Sequence, residues 1–252
     1  MSNHVAVVGA LWQRSLTHYI RSRAQIVAAL GQPALYLFAL GFGLGPVFAR
    51  AGQGNYIQFI APGIIGMTIL FSSTFSGINL LWDRQFGFLK ETLVAPVPRL
   101  DIMLGRTLGG ATVAVIQGTL VLIVCLIAGF RPTSAAALPL ALLFMVLIAL
   151  VFCALGTAIG SRMESMQAFP LVMNFLMMPL FFLSGALYPL GNLPTALAVI
   201  TRLDPLSYGV DGLRGALSGT AHFAFALDAG VLAGVAALFL AFGAWSFSKI
   251  QL

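Results

Sequence analysis

Residues 132–161 read PTSAAALPLALLFMVLIALVFCALGTAIGS, thirty positions without one charged side chain. An α-helix needs about 20 apolar residues to cross a hydrocarbon core about 30 Å thick, and this stretch supplies more than that. Five further charge-free stretches occur, at 24–49, 51–82, 107–130, 165–201 and 229–248. The twenty charged side chains of this 252-residue chain, 13 basic and 7 acidic, are confined to short segments between them. A soluble protein scatters charge over every surface helix. Here a charge at a bilayer centre costs about 2.5–3.5 kcal/mol even on a lenient insertion scale. The reading is an all-α integral membrane protein with six transmembrane helices, forming one transmembrane domain over 1–252.

Composition agrees, with 60 % hydrophobic and 8 % charged residues, against roughly 25 % charged in ordinary soluble domains. The 27 glycines suit close helix packing in lipid. A pI near 9.9 suggests nucleic acid at first sight. The basic residues flank apolar spans rather than form one polar face, so they set membrane orientation and no nucleic-acid partner is expected. Cys125 and Cys153 both fall inside apolar stretches and read as small buried hydrophobes. No metal-ligand or catalytic constellation stands out.

With the N-terminus in the cytoplasm, the inner segments collect Arg14, Arg21, Arg23, Arg84, Lys90, Arg99, Arg106, Arg162 and Lys249. The outer segments hold Arg50, Arg131, Arg202 and Arg214. That bias of nine to four, with an even span count, puts both termini in the cytoplasm. No cleavable signal peptide is visible, because the first apolar run is short and leads into Arg14.

Along the chain, residues 3–23 have Val5, Val8, Trp12, Leu16 and Tyr19 on one helical face and Arg14, His18 and Arg21 on another. This predicts a helix in the headgroup layer, its basic face toward anionic lipid. The first span, 26–48, ends with Gly41, Gly43 and Gly45, which read as close packing rather than nucleotide binding. The second, 56–81, carries Ser72, Ser73, Thr74, Ser76 and Asn79, most able to bond back to their own helix. In the polar loop that follows, Trp82, Phe86, Leu89 and Leu93 recur at i, i+4, i+7 and i+11 until Pro96 and Pro98. A short amphipathic helix over 82–95 is expected, suited to docking a soluble partner.

Spans three and four, 103–129 and 137–159, join through a turn containing Arg131 and Pro132. The fifth, 167–185, contains Pro170, Asn174 and Pro179 and a cluster of Met173, Met177 and Met178. Beyond Gly185 the apolar piece is too short to cross, and Asp204-Pro205 reads as N-cap and first residue of another short helix. Two short helices over 186–218 predict a re-entrant element on the outer face. Arg214 there sits three positions after Asp211, so the expected partner of its charge is Asp211. The last span is 227–247.

Ionisable groups are missing from the span interiors, where ion-coupled carriers keep them. No G-x-x-x-x-G-K-[ST] loop exists either, the only lysines being Lys90 and Lys249. The chain is therefore not expected to be an enzyme, and any ATP hydrolysis must belong to another subunit.

One long pattern goes further. Met177, Leu180, Leu183, Ser184, Ala186, Leu193 and Pro194 are followed, after a ten-residue spacer, by Pro205-Leu206-Ser207-Tyr208 and Arg214. In this the chain resembles the permease subunits of type-2 ATP-binding-cassette (ABC) exporters, and every specified position fits. The daunorubicin-type drug-resistance subfamily is one it resembles. The segment from Lys90 to Arg99, KETLVAPVPR, is similar to the stretch that accompanies the coupling helix in that family.

The resemblance implies a connecting helix at 3–23, a coupling helix at 82–95 and an outer re-entrant element at 186–218. It implies a prokaryotic plasma (inner) membrane location and two permease copies, spans two and five facing each other across the dimer axis. It also implies two separate ATPase subunits that hold ATP and Mg, with no cofactor on this chain. On that basis Arg84, Phe88, Lys90, Glu91, Thr92 and Leu93 are candidate coupling residues. Phe71, Phe75, Asn174, Met177, Met178 and Phe181 are candidates for the substrate pathway, and Pro205, Tyr208, Asp211 and Arg214 for the outer element. The expected cargo is an amphiphilic drug-like molecule or lipid moved outward. A polysaccharide or glycolipid export permease, and an uncoupled channel or membrane scaffold, are the alternatives.

Overall fold

The structure, a computed structural model, describes residues 2–50, 55–86, 98–189 and 194–248. Among these the architecture is all-helical, with no strand. The helices are α1 (Ser2–Arg21), α2 (Arg23–Arg50), α3 (Tyr56–Phe75), α4 (Ile78–Gln85), α5 (Arg99–Ile127), α6 (Leu138–Arg162), α7 (Ala168–Leu183), α8 (Thr195–Leu203), α9 (Pro205–Ser218) and α10 (Phe225–Ser248). Five units among the described residues are long and apolar enough to cross a membrane: α2, α3 with α4, α5, α6 and α10. The end of the bundle from which residues 87–97 leave, between α4 and α5, is called the arm end below.

The second span bends where Ser and Thr side chains compete with the backbone. Ser73, Thr74 and Ser76 donate to carbonyls three or four residues back, as expected from sequence, and Thr68 does the same. The helix breaks at Ser76-Gly77 and resumes as α4. Here the backbone of α3 and α4 meets that of α6. A Cβ on Gly156 would run into the carbonyl of Thr74, and one on Gly77 into the carbonyl of Gly156. Gly160 faces the carbonyl oxygen of Gly77 in the same way. Small residues four apart let two helices touch main chain to main chain. Of the glycines near the end of the first span, only Gly41 packs closely, against Ile57; Gly43 and Gly45 face open space.

The fifth apolar segment forms the 16-residue α7, shorter than the full span expected over 167–185. The chain leaves the helix at Ser184 and turns at Gly185, whose φ of 73° only glycine adopts cheaply. Thr74 of α3 meets Met177 of α7, and Gly63 lies against the main chain of Ala186. The end of α7 is thus level with about Gly66, about 15 Å inside the bundle from Tyr56 at 1.5 Å per residue.

The missing length is filled by α8 and α9. Asp204 caps α9 by accepting from Leu206 N at 2.9 Å, and Pro205 opens the helix. Going outward along α9, Gly209 packs on Ile148, Gly212 on Phe144 and Gly215 on Phe225, while Ser218 donates to the carbonyl of Gln58. Nearly every side chain from Leu206 to Leu217 is buried. The junction of α8 and α9 is therefore the deep tip of a hairpin that enters from the end opposite the arm. The core it completes includes Ile60, Ile64, Ile69, Phe144, Phe152, Phe181, Val210 and Leu213.

Candidate functional site

At the arm end three helices are tied by charge. Asp83 of α4 accepts from Arg106 of α5 at 2.5 Å and from Arg14 of α1 at 2.8 Å. Asp83 is buried and the Arg106 side chain is only 11 % exposed, whereas the Arg14 side chain is half exposed. His4 of α1 meets Asp101 of α5 at 2.5 Å. Between these pairs Gly105 lies against Leu11 and Gly109 against Ser15, and Trp12 donates to Thr112. The register climbs in step, so α1 runs alongside the first turns of α5. Both stems of the arm are thereby held by α1.

Of the candidate coupling residues, Phe88, Lys90, Glu91, Thr92 and Leu93 lie outside the described residues. Arg84 donates to the carbonyl of Met163, which joins the end of α4 to the α6–α7 connection. A hollow of about 470 Å³ opens beside it, lined by Arg84, Gln85, Glu164 and Gln167 among others. Trp82 stacks on Phe86 with both exposed, the i, i+4 pairing expected for the apolar face of the arm.

The candidate pathway residues divide between two faces. Met177 and Phe181 point into the bundle, the first against Thr74 and the second edge-on to Tyr36. Phe71 stacks on Phe75, which meets Phe169, at the rim of the same seam. Asn174 and Met178 lie on the exposed face of α7, along a stripe of Leu171, Phe175, Met178 and Phe182. Phe175 is 84 % exposed, so among the described residues this face has no covering.

In the outer element Asp211 and Arg214 make no direct ion pair and each hydrogen-bonds elsewhere, although the Asp211 charge still acts favourably on Arg214. Asp211 accepts from the backbone N–H groups of His222 and Phe223, at 2.9 and 2.7 Å, and so fixes the turn into α10. Arg214 is buried, donates to the Gly185 carbonyl at 3.0 Å and lies 4.2 Å from the centre of the Phe59 ring. The i, i+3 spacing put both residues on one helix but could not show that loop N–H groups would claim the carboxylate. Tyr208 donates to the Arg202 carbonyl, and Pro205 is the first residue of α9. Arg214→Ala removes a charge-assisted hydrogen bond worth about 1.5–3 kcal/mol and a cation–π contact worth about 0.5–2 kcal/mol. It is expected to lower the melting temperature and impair export, while Arg131→Ala leaves both near wild type at equal membrane levels. Equal behaviour of the two variants would show that the Gly185 turn holds without Arg214.

The ion knot at the arm end was not foreseen from sequence. Its members stand 69 and 23 residues apart, and each looked like an ordinary flanking charge. Gly156 and Gly160 did leave a signal, the G-x-x-x-G spacing of close-packed membrane helices.

The comparisons agree with this anatomy. Nodulation protein J of Rhizobium leguminosarum bv. viciae is 30 % identical over 226 residues, covering 88 % of this chain and 86 % of that protein. Nodulation protein J of the trifolii biovar is 31 % identical, covering 81 % and 79 %. The ycf38 transport permease of Porphyra purpurea is 32 % identical over 219 residues, covering 84 % and 74 %. The profile of the ABC-2 type transporter family matches residues 6–218 and so takes in the arm, the glycine seam and the outer hairpin. This multi-pass membrane protein belongs to the ABC-2 type transporter family and is a transport permease.

Proposed function

We propose that this chain is the membrane subunit of an ATP-driven exporter that moves an amphiphile outward. It works as two copies with two separate ATPase subunits, which bind ATP and Mg, in a prokaryotic inner membrane with both termini cytoplasmic. The observation that carries this reading is the knot of Asp83 with Arg106 and Arg14. A polar arm needs no rigid mounting if it only links two spans. Here both of its stems are fixed to α1, so a push on the arm reaches α1, α4 and α5 together. The bare stripe on α7 supports a second permease copy as neighbour and an apolar cargo over a hydrated polysaccharide.

The test is co-expression with the ABC ATPase that co-purifies with the tagged chain, followed by transport and hydrolysis in vesicles. Glu91→Lys and Leu93→Asp are expected to leave insertion and ATP hydrolysis in place and to reduce transport by about tenfold or more, since the ATPase cleft would meet a reversed or a buried charge. Normal transport in both variants would remove the arm from coupling. A C-terminal reporter that works only outside the cytoplasm should stay silent.

A further inference from the structure

Arg202 is the one basic residue of the α8–α9 hairpin placed at its deep tip. Its neighbour Thr201 donates to the carbonyl of Leu183, the last residue of α7, at 3.0 Å. That carbonyl lies about 15 Å inside the bundle from Tyr56, counting 1.5 Å per residue along α3. A hydrocarbon core is about 30 Å thick, so Arg202 enters near half depth. An arginine there is expensive, and such residues mark water-lined paths or ligand sites.

Among the described residues nothing neutralises it. The Arg202 side chain is exposed, and among the described residues no carboxylate lies within ion-pair distance. A second copy offers no acid either. Of the seven acidic residues, Asp204, Asp211 and Asp228 are buried in their own protomer. Asp83, Asp101 and Glu164 lie at the arm end, and Glu91 belongs to the arm itself. Leu203, the next residue, and Phe182, which precedes the Leu183 bound by Thr201, are both exposed, and Phe182 heads the apolar stripe that descends α7 through Met178 and Phe175 to Leu171. A cation thus stands at the outward end of an apolar track about 16 Å long at helical rise.

We infer that Arg202 binds the anionic headgroup, phosphate or carboxylate, of an amphiphile whose tail lies on the α7 stripe. This rests on the proposed export of an amphiphile and narrows it to an anionic one. A guanidinium suits the role, since its planar fork meets an oxyanion with two parallel hydrogen bonds.

The experiment needs no ATPase, so its failure is separate from failure of the exporter reading. The full chain, in nonionic micelles, is titrated with fluorescent phosphatidylglycerol and, in parallel, with equally labelled neutral diacylglycerol. Wild type is expected to hold the anionic probe about tenfold more tightly, a difference equivalent to about 1.4 kcal/mol. Arg202→Gln should abolish that preference, while Arg202→Lys keeps part of it and Arg131→Gln keeps all of it. Arg202→His gives an internal control if the Gln variant does not fold. Its preference should be present below about pH 6 and lost above about pH 8, as the imidazole loses its proton. Equal binding of the two probes by wild type, or a preference that survives in Arg202→Gln, would overturn the inference. So would a His variant whose preference ignores pH, or release of the probe by millimolar inorganic phosphate, which would mean a free-anion site.

Discussion

Asp83→Ala is expected to destabilise the protein by about 3–5 kcal/mol, because it strands a buried guanidinium. Arg106 has its side chain only 11 % exposed and reaches Asp83 at 2.5 Å, and its Nε already lacks a partner. Without the carboxylate its charge has neither water nor a counter-ion. At roughly 2–4 °C per kcal/mol for a chain of this size, the melting temperature should fall on the order of 10 °C. Arg14→Ala should cost far less, since that side chain is more than half exposed and Asp83 keeps Arg106 as its partner. The double variant Asp83→Leu with Arg106→Met should recover much of the loss, because apolar replacement of a buried pair is often neutral. Thermal unfolding of the purified proteins in one detergent measures all three. An unchanged melting point for Asp83→Ala would mean that the knot is solvated and that the arm is not rigidly mounted.

Gly156→Leu should be as damaging, for a steric reason. The hydrogen it replaces points at the Thr74 carbonyl, and a Cβ there overlaps main chain rather than a side chain that can swing aside. Overpacking ordinarily costs about 1–3 kcal/mol, more where nothing can relax. Separating α6 from α3 and α4 would also pull Gly77 and Gly160 out of contact, so the loss spreads along the seam. Even Gly156→Ala is expected to lower the yield of folded, monodisperse protein. Gly230→Ala and Gly234→Ala, on α10 with open space around them, should be neutral or slightly stabilising through helix propensity. Size-exclusion profiles and melting curves of the four variants decide the matter. A well-folded Gly156→Leu would mean that α6 does not touch the α3–α4 break.

The apolar segments could be read without the fold because the bilayer acts on each residue separately. Charge is excluded wherever the chain crosses, so gaps between charges show the crossings directly. The same local logic located the Asp204-Pro205 helix start and the back-bonding hydroxyls of α3, since capping and side-chain competition involve residues two to four apart. Partners were another matter. Arg214 looked like the i, i+3 neighbour of Asp211, yet the loop after α9 brought two N–H groups to that carboxylate and Gly185 brought a carbonyl to the arginine.

The amino-acid sequence by itself determined that this is a helical membrane protein, where its apolar segments lie, and that a polar arm and a short-helix element interrupt them. Only the tertiary structure decided that α7 stops level with about Gly66 of α3, that Asp83 is shared by Arg106 and Arg14, and that Arg202 stands at the hairpin tip. Hydrophobicity and capping depend on near neighbours along the chain. Depth and ion pairing depend on which distant helices return to pack together, and charge patterning carries no record of that.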